Sequence, residues 1–267
     1  MPSTQSIQDM MSLKGRVAVV TGGAGHLGRT ICTTLAELGA SVAIVDRQDA
    51  VRFAKELAGS LPVETFGMEV DLEDEAATRS IPDTVKVRFG RCEVLVNNAA
   101  FVGTSNLEGW AVPFSSQSAE TWRRAIEVNL TAAFVLSQAF VPLLTRDKAS
   151  IINIASIYGS LGPDWSLYQG TAMGNPAAYA VSKGGLLQLT RWLATTLAPG
   201  IRVNAISPGG IERGQSAAFV ERYNLQTPMR RMAREDDLKG AIAFLAGDAS
   251  RYVTGQNLLV DGGRSVW

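Results

Sequence analysis

The chain has 267 residues, 46% of them hydrophobic, and its 25 basic and 25 acidic side chains give a formal net charge of zero. That length suits one large α/β domain with a full core, and the neutral balance supplies no field to draw the protein to nucleic acid or an anionic membrane. A single histidine, His26, and two cysteines, Cys32 and Cys92, exclude a multi-histidine metal site, a disulfide framework and a Ser-His-Asp triad built on any other histidine.

Residues 1–12 (MPSTQSIQDMMS) are polar and lack the basic, apolar and cleavage segments of a secretory signal, so they read as a flexible arm ahead of a domain spanning 13–267. No run is long and apolar enough to cross a bilayer, and with the two cysteines expected to rest in the core a cytoplasmic location is expected. Residues 17–20 are a short apolar run, followed at once by TGGAGHLG. Gly23-x-Gly25-x-x-Gly28 is the literal dinucleotide fingerprint, and RTICTTLAELGA continues as an amphipathic helix ending at Gly39. A strand-like run at 42–45 then ends at Asp46. Strand, glycine turn, helix, strand and acid is the required order: small residues let backbone amides approach a pyrophosphate at the positive end of the helix, and the acid accepts from ribose hydroxyls. Asp46 would repel a 2′-phosphate and so favour NAD over NADP; Arg47 beside it could accommodate such a phosphate. An ordinary tight turn would explain the glycines alone, but not the strand, helix and acid in register with them.

The pattern then repeats. Residues 51–59 read as a helix, 62–70 as a strand running into Asp71, and 73–89 as a helix with a break or early turn at Pro82. Residues 94–96 form a buried strand closing on Asn97-Asn98-Ala99-Ala100. Residues 119–145 read as one long helix with Asn129 in its interior, where asparagine is unfavourable by propensity and so either faces solvent or is buried with a partner. A strand at 151–155 carries Ser156 at its carboxyl end. Residues 177–197 form a helix on which Tyr179 and Lys183 stand about one turn apart and leave the same face. An ammonium beside a phenol favours phenolate, which brings proton exchange nearer neutral pH. Taken by itself, such a pair is better read as a solvated surface feature. A strand at 202–206, the turn Ser207-Pro208-Gly209-Gly210, an irregular stretch to about Arg234, a helix at 235–247 and a strand at 258–260 before Asp261-Gly262-Gly263 complete the chain.

Strands alternating with helices, several of them apolar throughout, imply a single doubly wound Rossmann-type α/β domain with a central, mostly parallel sheet and helices on both faces. In such a sheet ligands bind beyond the carboxyl ends of the strands. The glycine loop, Asp46, Asp71, Asn97, Ser156 and Pro208 all follow predicted strands at that rim.

With these motifs in order, from Thr21-Gly22 to Asp261-Gly262-Gly263, the chain resembles a short-chain dehydrogenase/reductase over about residues 13 to 263. The resemblance implies that Tyr179 is the general acid/base, that Ser156 hydrogen-bonds the substrate oxygen, and that Lys183 lowers the tyrosine pKa and holds the nicotinamide ribose. It implies that Asn129 positions a water of the proton relay. Gly22, Ala24 and Leu27, with Gly25, His26 and Gly28, would line the pyrophosphate path. Asp71 would face the adenine and Ile211 the carboxamide, with Arg47, Leu72, Asn98, Ala99, Pro208 and Gly209 completing the cofactor contacts. Homodimers or homotetramers are implied, formed through the outer faces of the 119–145 and 177–198 helices. No metal is implied.

Three departures stand out. His26 occupies a position where the family has glycine, Ala100 replaces the last glycine of Asn-Asn-Ala-Gly, and Ser156 and Tyr179 lie 23 residues apart, wider than the family's spacing. The added part, 162–176, carries Trp165 and Tyr168, which could wall the substrate or simply pack on each other. The 210–234 stretch corresponds to the family's mobile substrate lid, and its Arg213 could clamp a phosphate or carboxylate or merely face solvent. Tyr158-Gly159, Tyr168-x-Gly170-Thr171 and Asn175-Pro176 resemble a branch associated with bacterial surface-sugar and flagellin modification, which implies a sugar or nucleotide-sugar alcohol as substrate.

The competing reading is a non-catalytic nucleotide-binding scaffold or sensor of the same fold. Retention of Asn129, Ser156, Tyr179 and Lys183 favours the enzyme. An acyl hydrolase using Ser156 lacks both a second histidine and a G-x-S-x-G setting.

Overall fold

Strand β1 (Val17–Thr21) is buried at every position, and its side chains divide by alternation: Val17 and Val19 enter one core layer, Ala18 and Val20 the other. The computed structural model that shows this describes residues 5–103, 105–144 and 149–266. The other strands are β2 (Ser41–Asp46), β3 (Thr65–Glu69), β4 (Val94–Asn97), β5 (Ala149–Ile154), β6 (Ile201–Pro208) and β7 (Asn257–Val260). They form one sheet in the order β3-β2-β1-β4-β5-β6-β7, and all six pairings are parallel. The order reverses between β1 and β4, which opens a crevice beyond their carboxyl ends.

Helices close both faces. Ile31 and Leu35 of the His26–Glu37 helix, Phe53 and Leu57 of Ala50–Ser60, and Ile242 and Leu245 of Lys239–Ala246 pack in one layer. Ile81 and Val85 of Glu75–Phe89, Leu136 and Phe140 of Ala132–Phe140, and Leu193 of Ala177–Leu197 pack in the other. Each such side chain, fully buried, contributes about 2 kcal/mol of hydrophobic stabilisation. Among the described residues no helix is long and apolar enough to cross a membrane.

The structure departs from the sequence expectations in five places. Pro82 does not break its helix, which runs through it from Glu75 to Phe89; burial of Ile81, Pro82 and Val85 on the inner face outweighs the missing N–H. The expected 119–145 helix is two α-helices, Ala119–Ile126 and Ala132–Phe140, joined by a single wide π turn over Glu127–Thr131. It stops at Phe140, just ahead of Pro142, and Leu144 bridges to Cys92 instead; Thr145, its expected end, lies outside the described residues. The 210–234 stretch is not wholly irregular, since Ala217–Leu225 is helical and buries Phe219 and Tyr223 one turn apart. The strand expected over 62–70 is shorter, Thr65–Glu69. Within the expected arm, Ile7–Met11 form one short helix capped by the Ser6 side chain; residues 1–4 lie outside the described residues.

Candidate active site

The rim above the β1/β4 switch point opens into a cleft with a volume of about 490 Å³. One end is the glycine loop. Gly25 begins the His26–Glu37 helix, and no side chain caps it, so the N–H groups of the first turn are open to an anion. The loop reaches this position only because Gly28 has no side chain: a Cβ there would lie 1.9 Å from the Gly22 carbonyl oxygen. Asn98 clamps the loop from β4, with Nδ2 donating to the carbonyls of Thr21 and Gly22 at 2.9 and 3.0 Å. A cradle that a Cβ would fill, at a bare helix N-terminus, fits a dinucleotide pyrophosphate.

Gly22, Gly25, His26, Leu27, Gly28, Asp46, Arg47, Asp71, Leu72, Asn98, Ala99, Pro208, Gly209 and Ile211 all line this cleft with Tyr179 and Lys183. Ala24 does not. Its N–H is turned to Asp46 Oδ2 at 3.0 Å, while Asp46 Oδ1 accepts from the Arg47 N–H at 2.8 Å. The glycine loop thus fixes the carboxylate at the end of β2. His26 is exposed at the mouth rather than filling the phosphate path.

Ser156, just past the end of β5, and Tyr179, in the first turn of its helix, meet in the cleft wall near its middle. Burial pushes the Tyr179 phenol up, and the Ser156 hydroxyl and then the Arg213 charge pull it down. Lys183 lines the same cleft. Its Nζ lies 5.8 Å from the centre of the Tyr179 ring and donates to the Ile154 carbonyl at 2.7 Å, and burial lowers the amine to about 8.

Asn129 is buried in the π turn, outside the cleft wall. Its Oδ1 accepts from the Phe101 N–H at 2.7 Å, and its Nδ2 donates to the Phe101 carbonyl and to Ser182 Oγ, both at 3.1 Å. The side chain braces the 101 loop against the Tyr179 helix, and both of its N–H donors are used.

On the substrate side, Tyr168 and Arg213 line the cleft and Trp165 does not. Trp165 is 57% exposed and packs on the outer side of Tyr168, ring centres 5.7 Å apart, so it supports the wall without forming it. Arg213 is paired to Glu235 at 2.8 Å. Arg222, from the lid helix, donates to the carbonyls of Ser166, Leu167 and Gln169 and so binds the 162–176 segment to that helix. Tyr158, Met173, Asn175 and Gln215 also line the cleft and had not been singled out as contacts. For Asn175 a signal existed: it lies four residues ahead of Tyr179. Among the described residues no cluster of three His, Cys, Asp or Glu side chains could hold a metal.

Comparisons with known proteins agree with this geometry. A family model described as enoyl-(acyl carrier protein) reductase matches residues 22–265. A putative ketoacyl reductase of granaticin polyketide synthesis from Streptomyces violaceoruber is 35% identical over 257 residues, covering 92% of this chain and 95% of that protein. An uncharacterized short-chain type dehydrogenase/reductase from Sinorhizobium fredii is 34% identical over 267 residues; the match covers 96% of this chain but only 45% of that longer protein. Among solved structures, a gluconate 5-dehydrogenase from Burkholderia cenocepacia, in complex with NADP and tartrate, superposes with a TM-score of 0.85 at 29% identity, covering 98% of this chain and 100% of that one.

Proposed function

The chain belongs to the short-chain dehydrogenase/reductase family of NAD(P)-dependent oxidoreductases, and from that premise we propose that it transfers a hydride between NAD(H) and a secondary alcohol or ketone of a sugar, sugar acid or nucleotide sugar. The observation that carries the reading is the convergence of Ser156, Tyr179 and Lys183 on the cleft that also holds the glycine cradle and Asp46.

In the oxidation direction, the Ser156 hydroxyl orients the substrate oxygen and Tyr179, as phenolate, takes its proton. In reduction the Tyr179 O–H returns that proton to the oxygen. Hydride acceptance or donation at the carbon is the chemistry that a bound nicotinamide supplies. Lys183, anchored to Ile154, keeps the Tyr179 helix against the end of β5, and its remaining N–H groups would hold the nicotinamide ribose. The bare helix start at Gly25 holds the diphosphate, and Asp46 accepts from the adenosine ribose. Preference for NAD rests on that carboxylate, which a 2′-phosphate would meet as a like charge.

The substrate class is supported by the residues around 158–176 that resemble the surface-sugar and flagellin-modification branch, and by the gluconate dehydrogenase likeness. Reduction of a ketoacyl group is the second reading, favoured by the granaticin relative. The exposed apolar side chains Trp122, Phe134, Val181 and Trp192, on the Ala119–Ile126, Ala132–Phe140 and Ala177–Leu197 helices, support a homodimer or homotetramer. The free, buried Cys32 and Cys92 suit a reducing, cytoplasmic setting. The test is a screen of sugar acids, nucleotide sugars, simple alcohols and 3-ketoacyl thioesters for NAD(P)-linked absorbance change near about 340 nm. Turnover of sugar-class alcohols is expected; turnover of ketoacyl thioesters alone moves the assignment to the second reading, and cofactor binding without any turnover leaves a scaffold.

A further inference from the structure

Asn175 stands in the cleft wall just before Pro176 and the helix that carries Tyr179, with only 7% of its surface exposed. Oδ1 and Nδ2 of its amide are both buried and neither makes a well-formed hydrogen bond in the protein, although the amide lies near enough to the Tyr168 hydroxyl to act on it as a donor. Buried amides are normally paired, and an unpaired one in the wall of a cavity invites a ligand that can both give and accept a hydrogen bond.

A second feature adjoins it. The Tyr158 and Tyr168 hydroxyls line the same wall 2.9 Å apart. Only one of the two protons can lie in the bond between them, so one O–H is left to donate elsewhere. Burial pushes both phenols up, which keeps them protonated donors at neutral pH. The Tyr168 hydroxyl is close enough to feel both the Asn175 amide and the Tyr179 phenol.

We propose that Asn175 and the Tyr158–Tyr168 pair form a second oxygen-recognising subsite, which reads a hydroxyl on a carbon close to the one that reacts. A hydroxyl donates to Asn175 Oδ1 and accepts from Asn175 Nδ2 or the free phenolic O–H. A methylene satisfies neither end of the amide. The preferred substrate is therefore a polyol-like alcohol, such as a vicinal diol, a sugar or a sugar acid, rather than a lone secondary alcohol. This inference rests on the reading of Tyr179 as the group that meets the reacting oxygen.

The test compares cis-1,2-cyclohexanediol with cyclohexanol on the cofactor-loaded protein, by the rise in melting temperature and by the ratio of their kcat/KM values. The diol is expected to protect more and to be turned over with a kcat/KM at least about tenfold higher, since a site built to hydrogen-bond a hydroxyl rejects the analogue lacking it. Asn175→Leu is expected to abolish the difference in protection and to reduce the kcat/KM ratio at least about tenfold. Tyr168→Phe, which keeps the ring packed on Phe219, covers the case in which Asn175→Leu does not fold and is expected to lower the ratio in the same direction. A wild-type protein that treats the two alcohols alike, or variants that keep the wild-type ratio, would overturn the subsite. Diol-specific protection that disappears in Asn175→Leu, without turnover of either alcohol, keeps the subsite and removes the role given to Tyr179.

Discussion

The ammonium of Lys183 donates to the carbonyl oxygen of Ile154 at 2.7 Å, at the last residue of β5 and two residues ahead of Ser156. One hydrogen bond therefore ties the helix that presents the phenol to the strand end that presents the hydroxyl. The bond draws on one of the lysine's donors, while the Arg213 guanidinium, also in the cleft wall, pulls the Tyr179 phenol down.

Replacing Tyr179 with Phe removes the proton and leaves the ring. Turnover is expected to fall by about a thousandfold or more, in the range that a lost general acid/base produces. NAD binding measured by calorimetry should survive, because the glycine cradle and Asp46 are untouched. Retained turnover would assign the proton transfer elsewhere.

The alcohol-oxidation rate should climb with pH beyond neutrality. Tyr179 must be deprotonated to act as a base, and burial holds its phenol above the ordinary value. Arg213 opposes that shift, so Arg213→Ala should move the rise to higher pH while Arg213→Lys largely restores it. A pH–rate profile that stays in place in Arg213→Ala would show that the arginine field does not reach the phenol.

Lys183 makes a signed prediction about stability. In the unfolded chain the amine stays protonated to about 10.5, but in the folded protein only to about 8. Between those values the unfolded state binds the extra proton, so the contribution of this group to stability rises with pH across that window. Below it, the burial of the charge costs about 3 kcal/mol. Thermal melts without cofactor should find Lys183→Met more stable than the parent near neutral pH, with the gain shrinking toward pH 10. A gain that grows with pH would contradict the assignment.

The glycine loop is graded in its tolerance. A Cβ at Gly28 would sit 1.9 Å from the Gly22 carbonyl oxygen, whereas one at Gly25 would sit 3.3 Å from it. Gly28→Ala should lower cofactor affinity at least about tenfold and reduce the melting temperature, because helix and loop must separate; Gly25→Ala should do much less to the fold. Equal effects from both would mean that the loop adjusts freely.

Removal of the Asp46 carboxylate should change cofactor choice. Asp46→Ser leaves an acceptor for the ribose and takes away the like charge facing a 2′-phosphate, so the ratio of NADP to NAD affinity should rise at least about tenfold. Tighter NADP than NAD binding by the parent protein would refute the preference.

Much of this architecture could be read from local pattern. The strand Val17–Thr21, the glycines through Gly28 and the acid at Asp46 are near neighbours, and their chemistry is written in consecutive residues. What escaped was decided by partners far along the chain. Asn129 looks unfavourable because a helix interior offers it nothing; its donor is the Phe101 N–H and its acceptors are the Phe101 carbonyl and Ser182 Oγ, 28 and 53 residues away. Pro82 looked like a break because propensity knows nothing of the layer that buries it. Trp165 and Tyr168 looked equivalent, and only packing against Phe219 turned one into the wall and left the other outside. The Lys183–Tyr179 spacing correctly placed both residues on one face, but a spacing cannot say that the amine points to Ile154.

The bond set of Arg222 has a consequence for how such enzymes diversify. Because this one guanidinium takes up the carbonyls of Ser166, Leu167 and Gln169, the 162–176 segment and the Ala217–Leu225 helix are pinned to each other. Transplanting the segment into a cousin without the arginine would leave three backbone oxygens unsupported, and moving the helix alone would strand the cation. A redesign of either piece therefore has to keep this contact or replace it.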